Sequence, residues 1–234
     1  MFNSRCKFVF LLLLFSTVVL GINAGLDSGF SSSSTQQNRG QASMDWNGDF
    51  VEGWRQFESL TKDQKYEAAS SLLEKMLARA REAKNSAEWT RCLIHYTQLR
   101  IALHGYETAV RFLKDQPWPD DWAGSSLLNL FYAQTLTTYA RNYSWEINQR
   151  ERTESNGPVD LKAWTRGQIY EEAQKAFEKV WSARGRLGEL PVSEWKLYVT
   201  PNSYPPGIRP TLRDAVSYLC VEMRPTPTDG GPIS

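Results

Sequence analysis

Few side chains in this sequence have types and spacing suited to proton transfer, metal ligation or nucleophilic attack. Asp120 and Asp121 are adjacent acids. A shared acid–base pair needs both carboxyl groups aimed at one point, and sequence neighbours do not face each other in a regular element. Between Trp118-Pro119 and Trp122 they read as a turn with a helix cap. His95 and His104 are the only histidines. Their separation is not the spacing that sets two ligands on one helical face. His95, beside Trp89 and Tyr96, reads as a partly buried, hydrogen-bonded side chain. His104 reads as a helix end, where a cation suits the dipole. Cys92 and Cys220 invite a disulfide in an exported chain. Both lie on or beside apolar helical stripes, where cysteine serves as a small hydrophobe, so two buried thiols are the favoured reading. Asn142-Tyr143-Ser144 fits a glycosylation sequon, a match that arises often by chance. Tyr204-Pro205-Pro206-Gly207 fits a polyproline ligand, with a loop packed across the fold as the favoured alternative. The sequence contains no glycine-rich phosphate loop, Gly-x-Ser-x-Gly elbow or zinc-spaced cluster. These readings assign no catalytic, cofactor-binding or metal residues, no cofactor and no enzyme activity; the binding residues stay unassigned.

The elements that would position any site are helices. Asp49 with Glu52 marks a capping box before Phe50, Gly53, Trp54, Phe57 and Leu60. Thr61 with Gln64 suggests a second box opening a helix of about six turns, striped by Tyr66, Ala69, Leu73, Met76, Ala80 and Ala83. Asn85 with Glu88 opens the next, with Trp89, Cys92, Leu93, Tyr96, Leu99 and Leu103 as its buried stripe and Gly105 as its stop. The short link at Lys84-Asn85 predicts an antiparallel hairpin. A shorter helix from Tyr106 ends at Pro117 and Pro119. Ser125 or Ser126 is expected to cap a helix that is apolar around much of its circumference and central to the fold. Arg150 to Pro158 reads as a surface loop. Asp160 is expected to cap a helix through Leu161, Trp164, Ile169, Phe177 and Trp181, ended by Gly185 and Gly188. A helical turn is expected near Trp195, and Ser193 to Thr200 is the best strand candidate, a weak one. Pro210 reads as the first residue of the last helix. The nine tryptophans fall at helical spacings beside other apolar residues, so core is their default over a sugar platform. The expected class is all-α: irregular antiparallel helical hairpins, bundle-like or repeat-like, with flexible N- and C-terminal segments.

The ends do not read as fold. Arg5 and Lys7, the apolar run Phe8 to Leu20 and the small residue Ala24 make 1–24 a secretory signal peptide, too short to be a comfortable membrane span. Residues 25–45 form a Ser-rich disordered tether, 46–223 the helical domain and 224–234 a Pro/Gly-rich tail or linker. The mature protein is expected to be exported and periplasmic, envelope-associated or extracellular, with no stable membrane insertion after signal cleavage. The 27 Lys+Arg against 26 Asp+Glu argue against a nucleic-acid partner held by phosphate neutralisation.

Three segments taken in order carry a resemblance. They are Cys92-Leu93-Ile94-His95-Tyr96 through Leu99-Arg100; Thr138-Tyr139-Ala140-Arg141-Asn142-Tyr143-Ser144-Trp145; and Asp160-Leu161-Lys162-Ala163-Trp164 paired with Ile208-Arg209-Pro210-Thr211-Leu212-Arg213-Asp214. From about Leu60 to Met223 the chain resembles the helical N-terminal region of the large bacterial alpha-2-macroglobulin-like proteins. That resemblance implies an exported protein of an endopeptidase-inhibitor system. Relatives continue into β-sandwich macroglobulin domains, a protease bait region and often a Cys-Gly-Glu-Gln thioester, none of which is in this sequence. The expected function is therefore a non-catalytic helical module, truncated or split from such an inhibitor, with protein partners in the downstream domains or in proteases. The alternative is a stand-alone exported helical-repeat adaptor for an envelope protein or peptide.

Overall fold

A computed structural model describes residues 46–152, 159–199, 205 and 207–223. The expected signal peptide, tether and tail lie outside the described residues. Within them the fold is all-α. The β features among the described residues are an isolated bridge between Pro191 and Thr211 and a bridge position at Val199.

Helix α1 (Phe50–Lys62) starts where the Asp49 carboxylate accepts from the backbone N–H of Val51. Glu52 turns to Arg55 and Gln56, and the Asp49 N–H donates to Asn47, so only half of the expected capping box forms. The second expected box is overturned. Thr61 donates back to the carbonyls of Phe57 and Glu58, which keeps it inside the last turn of α1. Gln64 follows at φ 58, and α2 (Tyr66–Glu82) opens without a side-chain cap. With 17 residues, α2 is shorter than six turns.

The hairpin of α2 with α3 (Ser86–His104) forms as expected. Lys84 reverses the chain at φ 49, and the Asn85 side chain accepts from Glu88 N–H. Leu72, Leu73 and Met76 on one side, and Leu93 and Tyr96 on the other, are buried in one core. Gly105 at φ 82 ends α3 and opens α4 (Tyr106–Asp115), a conformation that costs glycine little. Gln116, extended ahead of Pro117, ends α4.

The central helix α5 (Trp122–Asn142) packs against α3 and α4 and most extensively against α7 (Arg166–Ser182). Its cap is Asp121, whose carboxylate accepts from Gly124 N–H at 2.7 Å, not Ser125 or Ser126. A Cβ added at Gly124 would sit 2.5 Å from Thr90 Oγ1, so glycine is what lets α3 and α5 approach. Gly53 plays the same part between α1 and α2: an added Cβ would lie 2.9 Å from the Met76 side chain.

Beyond α5 come a short α6 (Ser144–Ile147), then α7, α8 (Arg184–Leu187), a 3₁₀ turn at Val192–Trp195 and α9 (Leu212–Met223). Asp160 does not cap α7. Its carboxylate accepts from Lys162 and Ala163 N–H and closes a turn that buries Leu161 and Trp164 ahead of the helix. Thr165 is the cap, in a reciprocal box with Gln168. α7 ends at Ser182 with Ala183 as its C-cap, ahead of both expected glycines; Gly185 lies inside α8 and Gly188 caps it. The weak strand candidate is 3₁₀ and turn from Ser193 to Tyr198 with a single bridge position at Val199, and Thr200 lies outside the described residues. Pro210 stays outside α9. Thr211 and Asp214 form the reciprocal cap instead, with backbone N–H to side-chain bonds of 3.0 and 3.3 Å.

The tryptophan default holds for seven of the nine, which lie in the core or pack against it, and fails for Trp145 and Trp181. Trp54 and Trp164 belong to the buried core, at 5% and 9% exposed. Trp46, Trp89, Trp118, Trp122 and Trp195 only line its edge. Trp181 is 39% exposed and Trp145 78%. Helical spacing places an indole on the apolar side of its own helix, but whether another element covers it depends on distant segments.

Candidate functional site

The densest polar fastening lies where α5, α6 and the Asp160–Trp164 turn meet. Arg150, expected on a surface loop, points inward with its side chain only 12% exposed. Its guanidinium donates to the carbonyls of Leu161 at 2.6 Å and Trp164 at 3.0 Å, to the Tyr139 hydroxyl at 3.3 Å and to Glu146 at 2.6 Å. Tyr139 in turn donates to the Leu161 carbonyl at 3.0 Å. The planar fork of arginine suits this task, since several fixed donors satisfy carbonyls that a turn leaves without helical partners. Burial works against the charged guanidinium, but its bonds to Tyr139 and Glu146 prevail and raise its pKa. Sequence reasoning missed Arg150 because its partners lie on either side of a charged stretch that reads as loop. Glu151 and Arg152 of that expected loop are exposed, and its remaining six residues, 153–158, lie outside the described residues.

An aromatic ladder runs from this knot to the surface. Tyr139, buried, lies 4.9 Å from Tyr143 and 5.7 Å from Tyr106, ring centre to ring centre. Tyr143 is 43% exposed, and Trp145 stands beyond it on α6. The sequon residue Asn142 is exposed at the end of α5 and donates to the Tyr106 hydroxyl at 3.3 Å.

A second cluster clamps α1 onto α3. The Trp54 indole N–H donates to Glu88 at 2.6 Å, and the Arg91 guanidinium lies 3.8 Å from the Trp54 ring centre. His95 sits 5.1 Å from Trp54 and 5.3 Å from Phe57. Burial, seconded by Arg91, pulls its pKa down to about 4 against a hydrogen bond with Gln98. The imidazole is therefore neutral at pH 7, a partly buried, hydrogen-bonded side chain as expected. His104, exposed, occupies the last turn of α3. The two histidines do not converge.

Asp121 is spent on its cap, through one oxygen, while its neighbour Asp120 is exposed. Neither meets the other at a common point. Cys92 is a fully buried thiol, and burial pushes its pKa up to about 12. A thiol so protonated is a poor nucleophile. Cys220, also a thiol, is half-buried where burial was expected. The proline-rich stretch is described only at Pro205, whose carbonyl accepts from Ile208 N–H, and at Gly207. Among the described residues, no group of three or more His, Cys, Asp or Glu could hold a metal ion, and no helix is long and apolar enough to cross a membrane.

Other acids act as struts. Glu172 on α7 accepts from Lys114 of α4 at 3.0 Å and from Tyr132 of α5 at 3.3 Å. Glu74 of α2 accepts from Tyr96 of α3. Arg81, at the end of α2, donates to Gln116, at the end of α4, at 2.7 Å. Polar side chains thus link successive helices across the fold. Comparisons with protein-family models, curated proteins and solved structures give no match to this chain.

Proposed function

We propose that this chain is a non-catalytic helical module of an exported bacterial alpha-2-macroglobulin-like endopeptidase inhibitor. It serves as a packed platform that docks or positions the inhibitor's other domains. The observation that carries this reading is where its three distinctive segments sit. Cys92 to Arg100 lies on α3 and contributes Cys92, Leu93, Tyr96 and Leu99 to the core. Tyr139, from the second segment, is bonded to Leu161, from the third, and Arg150 grips both. Thr211 and Asp214 start α9. The residues that carry the family resemblance therefore fasten helices to one another, which suits a scaffold whose role rests on packed stripes rather than titrating groups.

The test uses the exported chain with trypsin, papain and thermolysin, and casein as the reporter substrate. Casein should be cut at the control rate even with micromolar chain present. Stoichiometric protection would place an inhibitory site within the helices and overturn the reading. Sedimentation with bacterial macroglobulin β-sandwich domains should give a one-to-one complex. Its absence favours the stand-alone adaptor, a reading that draws support from the exposed Trp145 and Tyr143.

A further inference from the structure

A ring of contacts between α2, α3 and α4 encloses two arginines that no carboxylate neutralises. On α3, Trp89, Tyr96 and Arg100 lie in one helical row. At the end of α4, Gln116 N–H bonds to the Phe112 carbonyl at 3.1 Å, so these two side chains also share a face. The two rows touch. The Tyr96 and Phe112 rings meet edge to face at 4.8 Å. The Arg100 guanidinium lies 4.8 Å from the Phe112 ring centre and 5.7 Å from that of Tyr96. From the end of α2, Arg81 lies 5.7 Å from the Trp89 ring centre and donates to Gln116 at 2.7 Å, which closes the ring. Arg81, Trp89, Arg100, Phe112 and Gln116 are all half-buried, so the ring is open to solvent on one side.

This ring is short of acceptors. Among the described residues four buried side-chain N–H donors lack a partner, and three of them are here: Arg81 Nε, Trp89 Nε1 and Arg100 Nε. Arg79 pairs with Glu82 and Arg111 with Glu107, but neither Arg81 nor Arg100 forms an ion pair with a described carboxylate. Glu74, the acid beside the ring, accepts from the Tyr96 hydroxyl instead. Burial lowers the Arg81 pKa, opposed only by the Cys92 thiol, as befits a cation desolvated without a counterion. The aromatic faces hold both guanidiniums in place, and their planar forks suit carboxylate oxygens.

Spacing and charge narrow the occupant. Arg81 stands by Trp89 and Arg100 by Tyr96, two rings separated by about 10 Å of helix rise. Acids three residues apart in an extended polyproline-type peptide lie on one side, about 9 Å from each other. A nucleic acid fits less well, because 27 Lys+Arg against 26 Asp+Glu leave no broad cationic surface for a phosphate backbone. We infer that the ring formed by Arg81, Trp89, Tyr96, Arg100, Phe112 and Gln116 is a docking site for an extended acidic peptide segment. Two of its carboxylates, three residues apart, meet the two guanidiniums, and the aromatic rings between them cover an intervening apolar side chain. The inference stands on these side chains and does not depend on the inhibitor-module reading.

The test is fluorescence anisotropy of a fluorescein-labelled peptide of repeated Glu-Leu-Gly units, titrated with the exported chain at low salt. Binding should saturate below about millimolar chain and weaken as salt is added. Replacing every Glu of the peptide by Gln should cut affinity at least about tenfold, as should Arg81→Gln or Arg100→Gln in the chain. Arg79→Gln, at an arginine paired with Glu82, should leave it within about twofold. Nitrogen–proton NMR of the wild-type chain supplies a readout that needs no arginine variant. The Trp89 indole N–H, identified by its loss in Trp89→Phe, should shift as peptide is added, while the Trp54 indole, bonded to Glu88, stays in place. Absent saturation, equal binding of the Gln peptide, an unmoved Trp89 indole or unchanged affinity in both folded arginine variants overturns the proposal. Tighter binding of a thymidine oligonucleotide than of the Glu peptide also overturns it, in favour of a nucleic-acid partner.

Discussion

Replacing Gly124 by alanine tests whether α3 and α5 are held as close as the contacts between them require. The new Cβ would lie 2.5 Å from Thr90 Oγ1, 2.8 Å from Asp121 Oδ1 and 3.0 Å from Pro119 Cγ. Overpacking of this kind costs about 1–3 kcal/mol, and the shortest contact belongs at the upper end. Alanine returns about 1 kcal/mol of helix propensity. The expected net loss is about 2 kcal/mol. Thr90 is 1% exposed and its hydroxyl has no hydrogen-bond partner, so Thr90→Ala sacrifices little and removes the tightest clash. The Asp121 oxygen facing the new Cβ also has no partner, because the cap bond uses the other oxygen, so the carboxylate can give way. The double variant Thr90→Ala/Gly124→Ala should therefore recover at least about 1 kcal/mol, a coupling typical of touching residues. Thr90→Ser keeps the Oγ and should not rescue. Urea unfolding followed by far-ultraviolet circular dichroism measures all of these. A Gly124→Ala variant within about 0.5 kcal/mol of wild type, or rescue by Thr90→Ser equal to that by Thr90→Ala, refutes the close-approach argument.

The remaining predictions use the same unfolding assay. Arg150→Ala removes the clamp on the Leu161 and Trp164 carbonyls and should cost about 2–4 kcal/mol; a loss under about 1 kcal/mol contradicts the clamp. Leu93→Ala, at a residue 0% exposed, should cost about 2–5 kcal/mol, and a change within experimental noise would separate α3 from the core. The His95 pKa is depressed from 6.5 to about 4, so its contribution is fully present above pH 6.5 and is lost as pH falls towards 4. The loss is at most about 3 kcal/mol, nearer 2 for a half-buried ring, and His95→Phe should flatten that limb of the pH profile. An unchanged slope in His95→Phe would assign it to other groups. Intact-mass analysis of exported protein should show a chain starting near Gly25; retention of residues 1–24 in a membrane fraction would contradict the signal-peptide reading.

What was legible in the sequence is local. Apolar spacing alone gives an all-α fold. Asn85 before Glu88, Gly105 and Pro117 mark helix ends because each acts on backbone within a few residues. The all-round apolar character of Leu127 through Tyr139 announces a central helix, and α5 is central. Where a start had more than one candidate, sequence named the wrong one for α7 and α9, Asp160 for Thr165 and Pro210 for Thr211; for α5 it read the Asp120-Asp121 turn, which does hold the cap, beside Ser125 or Ser126, which do not. Each candidate offers similar side-chain chemistry or a suitable φ. What separates them is whether neighbours such as Leu161 and Trp164 gain more by packing in a turn than in the helix.

Tertiary structure alone decided the rest. Gly53 and Gly124 look like ordinary helix glycines until Met76 and Thr90 arrive from other helices and occupy the space of a Cβ. Arg150 looks like a loop charge until two carbonyls of a later turn converge on it. Trp54, Trp145, Trp164 and Trp181 are the same side chain, yet 5%, 78%, 9% and 39% of each is exposed. Sequence determines the conformations that one stretch of backbone prefers and the stripe it wants buried. Burial and close approach are properties of pairs of surfaces, set only when segments distant in sequence meet, and so the glycine contacts and the arginine clamp belong to the fold.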